Sequence, residues 1–275
     1  MKFALCNEIF RTLPLEEAFQ KIADIGYEGV EVAPFTLQAN PRHLTESDAD
    51  RCRTAAERAG LEVVGLHWLM AETEGLHLTH NDPAILRVTQ EYLIKLGQLT
   101  AQMNGTVLVL GSPQQRNLLP NTTYDEAFER AVNLIKTVCE EIADLGVAFA
   151  IEPLAKVETD FLSSCQQGEE FVRAVDHPAC GLHLDVKAMT AEPQGVCHAI
   201  RQFHKHCIHF HGNDSNLRGP GQGATNFLEV ANTLKEVSYK GWVSVEAFDY
   251  FPTAEDCARI SIANLRKVFP KYVSF

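Results

Sequence analysis

The sequence has no surplus of positive charge and no long apolar run. Its 275 residues hold 24 Lys plus Arg against 36 Asp plus Glu, a formal net charge of −12. Proteins that bind nucleic acid neutralise phosphates with clustered Lys and Arg, so we expect no nucleic-acid partner. No stretch reaches the roughly 18 uncharged apolar residues of a membrane span. The first residues, MKFALCNEIFRTL, contain Asn and Glu too early to form the apolar region of a signal peptide. We therefore expect a cytoplasmic protein without a membrane partner.

The cysteines form no C-x-x-C pair, which excludes a zinc ribbon and a small disulfide scaffold. We therefore predict buried, reduced thiols. They lie at Cys6, Cys52, Cys139, Cys165, Cys180, Cys197, Cys207 and Cys257.

No Pro/Gly/Ser-rich linker divides the chain, and short apolar runs alternate with amphipathic segments throughout, as in a parallel sheet with crossover helices. The strands are predicted at about 3–9, 29–34, 62–68, 106–111, 147–152, 181–186, 207–212 and 242–247. The main helices are predicted over 15–25, 49–59, 84–103, 124–145, 168–175, 227–237 and 254–268.

Eight such βα units predict an α/β fold, a single-domain (β/α)8 TIM barrel over residues 1–275, with its active site at the C-terminal ends of the strands. An open doubly wound sheet is the alternative. However, the first strand is not followed by G-x-G-x-x-G, and the chain contains no phosphate-binding G-x-x-x-x-G-K-[ST].

The last four predicted strands share one pattern when alternate residues are assigned to opposite faces. The four segments read A-F-A-I-E, G-L-H-L-D, C-I-H-F-H and W-V-S-V-E. In each, the apolar second and fourth residues are predicted to face the helices, and the first, third and fifth residues face the barrel axis. The final inward position holds a possible metal ligand in every strand. These four residues are Glu152, Asp185, His211 and Glu246.

Three carboxylates and an imidazole buried around one axis need a positive partner, because an unpaired buried charge costs several kcal/mol. A divalent cation meets that need, and the oxygen-rich donor set favours Mn²⁺, with Mg²⁺ or Co²⁺ as alternatives. The competing interpretation is that each acid is a solvated residue where a strand meets its loop.

Several motifs resemble those of the xylose-isomerase-like family of TIM barrels, the sugar phosphate isomerases and epimerases. The segment from Glu152 to Thr159 reads E-P-L-A-K-V-E-T and resembles the E-P-L-x-x-x-E-T segment of ketose 3-epimerases that act on D-tagatose or D-psicose. H-L-D at 183–185, H-x-N-D at 211–214, R-G-P-G at 218–221 and V-E at 245–246 add to the resemblance, which is specific only within residues 147–248.

The resemblance implies roles for individual residues. Glu152, Asp185, His211 and Glu246 match the family's ligands for one divalent metal ion, and Glu152 and Glu246 also match its acid/base pair. Glu158 and Arg218 match residues that hold substrate hydroxyls. The family usually carries His three residues after the aspartate, where this chain has Ala188, and Lys187 is a candidate replacement. The relatives also imply a dimer or tetramer.

The implied reaction begins with loss of a proton beside a carbonyl, and the metal stabilises the resulting ene-diolate. Return of a proton to the opposite face of the same carbon gives epimerisation of a small-molecule sugar, and return to the neighbouring carbon gives isomerisation. Loss of a β-oxygen substituent would instead make a lyase or dehydratase on a keto-inositol or 3-keto glycoside. A non-catalytic sugar-binding barrel is the third hypothesis.

Other residues are weaker candidates for the same site. His67 and Trp68 end the third strand and are predicted to contact the sugar, and Arg116 in the loop after strand four is predicted to reach over the substrate. The alternatives are loop packing for the first two and a surface ion pair for Arg116. Glu31, His183 and His209 face inward but deeper in the barrel. We interpret Glu31 as a paired structural acid and the two histidines as core or supporting residues.

Overall fold

The computed structural model describes residues 1–269. Eight parallel strands form a closed barrel in which each strand pairs with the next and β8 pairs with β1. The predicted fold class, a single-domain (β/α)8 TIM barrel, is confirmed. The strands are β1 Lys2–Cys6, β2 Gly29–Val32, β3 Glu62–Leu66, β4 Val107–Leu110, β5 Ala148–Ile151, β6 Cys180–Asp185, β7 Cys207–Gly212 and β8 Trp242–Val245.

Helices surround the barrel, and polar caps fix where several of them begin. Thr45 and Thr123 each accept a hydrogen bond from the backbone amide three residues ahead, and the acid at that position accepts one from the backbone amide of the threonine. Both bonds satisfy amides that the first turn leaves free. The helices are α1 Leu15–Ile25, α2 Pro34–Leu37, α3 Glu46–Ala59, α4 Pro83–Gln102, α5 Tyr124–Ile142, α6 Cys165–Val175, α7 Val186–Met189, α8 Val196–Phe203, α9 Phe227–Glu236 and α10 Ala254–Val268.

The structure differs from the predicted elements mainly near strand ends. β1 stops at Cys6, and the chain continues as a short 3₁₀ helix over Asn7–Phe10. After β6 the sequence analysis predicted no helix, whereas α7 begins directly after Asp185 and α8 follows it. Asp185 caps α7 with its own side chain, so one residue ends the strand and starts the helix.

Two apolar clusters hold the barrel together. The large one fills the layer between the sheet and the helices, and Phe149 and Phe210 lie fully inside it. A small one fills the barrel interior with the side chains of Ala4, Val64, Val107, Val109 and Ala150. This alternation along each strand agrees with the predicted inward and outward faces.

All eight cysteines are free, as predicted, and six of them are buried; Cys197 and Cys207 are only partly buried, which differs from the prediction. None of the helices within residues 1–269 combines the length and the apolar character that a membrane span requires.

Candidate active site

The structure brings the four inward residues of the last strands together at the C-terminal end of the barrel. Asp185 and His211 lie opposite each other on the paired strands β6 and β7, and Glu152 and Glu246 directly follow β5 and β8. Ligand atoms of Glu152, Asp185 and His211 lie within 4.8 Å of one another, in a group that also includes His183. Glu246 joins the group through His211, whose Nδ1 is 3.3 Å from its Oε2.

His211 has its two ring nitrogens in different surroundings. Nε2 donates to Glu31 Oε1 at 2.9 Å, and Glu31 Oε2 accepts a second bond from His209 Nε2 at 2.7 Å. Because Nε2 is bonded to Glu31, Nδ1 is the ring nitrogen that faces Glu246 and Asp185, and it is the atom that could bind a metal once it gives up its proton. Glu31 is therefore the buried, paired acid that the sequence predicted, and it orients the imidazole of His211.

Glu246 is held from the opposite side of the barrel. Its Oε1 accepts a hydrogen bond of 2.7 Å from the indole nitrogen of Trp68, at the end of β3. His67 is fully buried beside them, with Nδ1 3.4 Å from Glu246 Oε1 and Nε2 3.0 Å from Glu8 Oε2. The backbone of Trp68 has φ of 51°, a left-handed conformation that is rare for a bulky residue.

Asp185 is fixed by two bonds that use both of its carboxylate oxygens. Oδ1 accepts from the backbone amide of Ala188 at 2.7 Å, and Oδ2 accepts from the side-chain amide of Asn213 at 2.5 Å. Asn213 also accepts a bond from the backbone of Lys187. Ala188 thus contributes its amide, not a side chain, to the site.

Glu152 lies against Gly111, the first residue after β4. A Cβ atom at that position would fall 1.7 Å from Glu152 Oε2, so only glycine leaves room for the carboxylate. Arg116 is fully buried, and its Nη1 donates to the backbone oxygen of Glu152 at 2.8 Å. This placement corrects the expected position of Arg116 over the substrate, because its guanidinium lies inside the protein and binds the backbone just after β5.

The charges of this group are unbalanced. Burial raises the pKa of Glu152 to about 8, and the negative charges of Glu246 and Asp185 add to that effect. Burial and the charge of Glu246 raise the pKa of Asp185 to about 6. Burial also opposes ionisation of Glu246, but His211 and His67 outweigh it and lower the pKa of that carboxyl.

A cation fits this arrangement. It would neutralise carboxylates that now repel one another. The ring nitrogens of His183 are buried without a hydrogen-bond partner in the same group. Glu152, Asp185, His211 and Glu246 could therefore hold one divalent ion, with His183 beside them.

A cavity of about 230 Å³ opens over this group, and we call it the inner cavity. Glu152 and Glu246 both line it, and so do three of the predicted substrate-contacting residues, His67, Trp68 and Glu158. The remaining lining residues are Gly111, Pro113, Leu154, Lys187, Leu217 and Phe248.

The polar edge of the inner cavity is formed by Lys187 and Glu158. Nζ of Lys187 donates to Glu158 Oε1 at 2.6 Å and lies 4.8 Å from the centre of the Phe248 ring. Lys187 therefore reaches the cavity wall, as the sequence analysis considered. Arg218 does not line the cavity. Its Nε pairs with Asp249 at 2.8 Å and its guanidinium stacks on Phe251, so its contact with substrate stays a prediction.

Five cavity residues were not identified from the sequence as part of the site, namely Gly111, Pro113, Leu154, Leu217 and Phe248. Gly111 directly follows a buried strand, and a glycine there is a sign of close approach by another group. Phe248 lies two residues after Glu246, so the period-two alternation of β8 could have placed it on the same side. Leu154 belongs to the E-P-L-x-x-x-E-T segment, but nothing in the sequence placed its side chain in the cavity.

Comparison with known proteins agrees with the fold. The model of the family described as xylose isomerase-like TIM barrel matches residues 19–268. A Synechocystis protein named "Probable ketose 3-epimerase" is 29% identical over 245 residues, covering 86% of this chain and 79% of the relative. A D-psicose 3-epimerase of Ruminiclostridium cellulolyticum is 25% identical, covering 83% of this chain and 76% of the relative.

A solved structure of a D-psicose 3-epimerase, determined in the presence of D-fructose, superposes with a TM-score of 0.85. It has 20% identity and covers 98% of this chain and 99% of that one. At that identity the likeness establishes the barrel alone.

Proposed function

The chain belongs to the xylose isomerase-like TIM-barrel family, and from that membership we propose that it is a divalent-metal-dependent ketose 3-epimerase acting on a small-molecule sugar. The observation that carries the proposal is that two carboxylates, Glu152 and Glu246, line one small cavity beside Asp185 and His211. The named relatives are 3-epimerases, which supports the reaction type.

The metal would be held by Glu152, Asp185, His211 and Glu246. A bound divalent ion would supply the Lewis acidity that makes a proton beside a carbonyl easier to remove. Three carboxylates and one imidazole are a hard donor set, so Mn²⁺ is the ion we propose, with Mg²⁺ or Co²⁺ able to replace it.

Glu152 and Glu246 are the proposed acid/base pair. One carboxylate removes the proton from the carbon next to the carbonyl, and the other returns a proton to the opposite face, which inverts that carbon. Trp68 holds Glu246 by a bond of 2.7 Å, and Gly111 leaves space for Glu152. Both groups are thus oriented by residues that need not touch the sugar.

Lys187 and Glu158 provide donors and acceptors for sugar hydroxyls at the edge of the cavity. Lys187 supplies a hydrogen-bond donor at this edge, because its ammonium group reaches the wall of the inner cavity. The methyl side chain of Ala188 has no donor to offer. This arrangement favours an epimerase over the lyase or dehydratase, because a hydrogen-bond donor is present although Ala188 stands where the family usually has His.

The test is proton NMR in D₂O with the protein loaded with Mg²⁺ and a panel of ketoses, inososes and 3-keto sugars. We expect deuterium to enter beside the carbonyl of a ketose, with the 3-epimer as product. Glu152→Gln and Glu246→Gln should each slow exchange at least about 10²-fold, the lower end of general acid–base effects. Glu62→Gln, an exposed acid paired with Lys2, is the matched control.

Metal content is measured for every variant, so loss of the ion is told apart from loss of the acid/base group. Release of water or of an aglycone would identify the lyase. Absence of exchange with every sugar at full metal occupancy would leave the sugar-binding barrel as the remaining hypothesis.

A further inference from the structure

A second cavity of about 400 Å³ adjoins the inner cavity, and we call it the outer cavity. The two share three lining residues, Trp68, Pro113 and Phe248. The rings of Trp68 and Phe248 meet edge to face, 6.1 Å apart, at the boundary. The other residues that line the outer cavity are Glu8, Arg11, Phe35, Ala71, Glu72, Gln114 and Gln115.

The volumes bear on the size of the ligand. Sites that enclose a drug-sized molecule measure about 300–1,000 Å³. The inner cavity, at about 230 Å³, is below that range and suits a single small sugar. The outer cavity is nearly twice as large, so a free ketose bound beside Glu152 would leave it unused.

The chemistry of the outer cavity matches a sugar ring. Phe35, Trp68 and Phe248 offer aromatic faces and edges, against which the C–H face of a pyranose packs. The side-chain amides of Gln114 and Gln115 provide donors and acceptors for hydroxyl groups. A purely apolar ligand would leave those amides without partners.

The charges argue against an ionic ligand. Glu72 pairs with Arg11 at 3.0 Å, and Arg11 also lies over the ring of Phe35 at 5.0 Å. Glu8 Oε2 lies 3.0 Å from His67 Nε2. Among the residues that line the outer cavity, Arg11 and Glu72 thus pair with each other and Glu8 lies against the His67 ring, so each charged side chain has a neighbouring partner.

Trp68 connects the two cavities. Its indole nitrogen is bound to Glu246 and its backbone is held in a left-handed conformation, so the ring has a fixed orientation between them. A non-glycine residue adopts such a strained backbone conformation only where the surrounding structure holds it there. The ring therefore forms a rigid wall that both parts of one ligand can contact.

We propose that the outer cavity binds a second sugar ring, so that the substrate is a ketose carrying a glycosyl substituent. This rests on the proposed function for the reacting end and adds the class of substrate. A free ketose would occupy the inner cavity alone and bind more weakly.

The test is calorimetry of the Mn²⁺-loaded protein with D-fructose and three glucosyl-fructoses that keep the carbonyl end free, namely maltulose, leucrose and isomaltulose. We expect at least one disaccharide to bind tenfold more tightly than fructose or better. Phe35→Ala should remove that gain and leave the affinity for fructose unchanged. Phe251→Ala is the matched control, because Phe251 also carries a stacked arginine but lines neither cavity.

Three results would overturn the proposal. One is that no disaccharide binds more tightly than fructose, and another is that Phe35→Ala weakens both kinds of ligand equally in a folded variant. The third is that fructose 6-phosphate binds more tightly than every disaccharide. Calorimetry needs no turnover, so a disaccharide preference without deuterium exchange would contradict the 3-epimerase reaction and leave the outer cavity as a sugar site.

Discussion

The first four strands and the last four contribute to the candidate site in different ways. The last four carry the possible metal ligands Glu152, Asp185, His211 and Glu246. The first four carry groups that hold three of those side chains in place, namely Glu31 for His211, Trp68 for Glu246 and Gly111 for Glu152. The reactive groups belong to one half of the barrel, and their geometry depends on the other.

The cavities divide in a similar way. Every residue that lines the outer cavity lies between Glu8 and Gln115 except Phe248. Under the proposals above, the second half of the chain determines the reaction and the first half determines how large a substrate is accepted. The reacting groups of the second half therefore depend on supporting residues of the first half, and the following variants test that dependence.

The largest effect is expected from Gly111→Ala in the first half. The new Cβ would fall 1.7 Å from Glu152 Oε2, so the carboxylate must move. A displacement of about 1 Å can cost about 10²-fold in rate, and we expect kcat to fall by at least that much. Gly212→Ala on β7, where the nearest atoms are 3.4 Å from the added Cβ, should be far milder. Equal losses in both variants would contradict this account.

Glu31→Gln is expected to weaken metal binding. It removes the charge that orients His211 and pairs with His209, while the ligand atoms themselves remain. Loss of such a supporting partner typically costs 10–100-fold in metal affinity, which a competition titration with a fluorescent chelator would measure. Glu62→Gln, on the neighbouring strand but exposed, should leave the affinity unchanged. An unchanged affinity in Glu31→Gln would show that His211 is oriented by other contacts.

Trp68→Phe is expected to have a smaller effect on turnover. The substitution keeps an aromatic ring but removes the 2.7 Å hydrogen bond to Glu246. Hydrogen bonds to charged groups contribute about 1.5–3 kcal/mol, and we expect the lower end of that range, a roughly tenfold fall in kcat, with metal content preserved. Trp242, the other tryptophan, packs against the apolar cluster inside the barrel, and Trp242→Phe is the control. The idea fails if the two variants have the same kcat.

The smallest effect is expected away from both cavities, at the pair of Arg51 and Glu16 on α3 and α1. Hydrogen bonds from Arg51 lower the pKa of Glu16 to about 2 from an ordinary 4.5. The stabilisation is therefore complete above pH 4.5 and is lost as the pH falls towards 2.

Both side chains of this pair are about half exposed, so Arg51→Ala should cost less than about 1 kcal/mol in urea unfolding at pH 7, with unchanged kcat. The difference from the wild type should narrow at pH 3. A difference that widens at low pH would reverse the assigned sign.

Much of the fold could be predicted because its signals are local. The helices predicted over 15–25 and 254–268 match α1 and α10 at both ends, since their apolar periodicity is local and Gly26 and Thr253 directly flank them as caps. The helices α7 and α8 after β6 were missed. α7 has only four residues, and its cap is Asp185, which the sequence also marked as the end of a strand.

The site could be predicted only in part. The inward register of the last strands indicated Glu152, Asp185, His211 and Glu246 as a group, because alternation is a local property. The partners were not predictable, since Trp68 and Glu246 are separated by 178 residues. The partners of the two arginines were not predictable either, because they are also distant in sequence. Arg116 donates to the backbone oxygen of Glu152, and Arg218 pairs with Asp249.

The pairing of β8 with β1 has a consequence for how the protein is made. Glu246 and Trp68, or His211 and Glu31, meet only after nearly the whole chain is available, and contacts between residues so distant in sequence form slowly. A ribosome that has released the chain only through β7 has produced every supporting group of the first half, but not Glu246. The complete set of candidate ligands can therefore assemble only once β8 is available to close the ring.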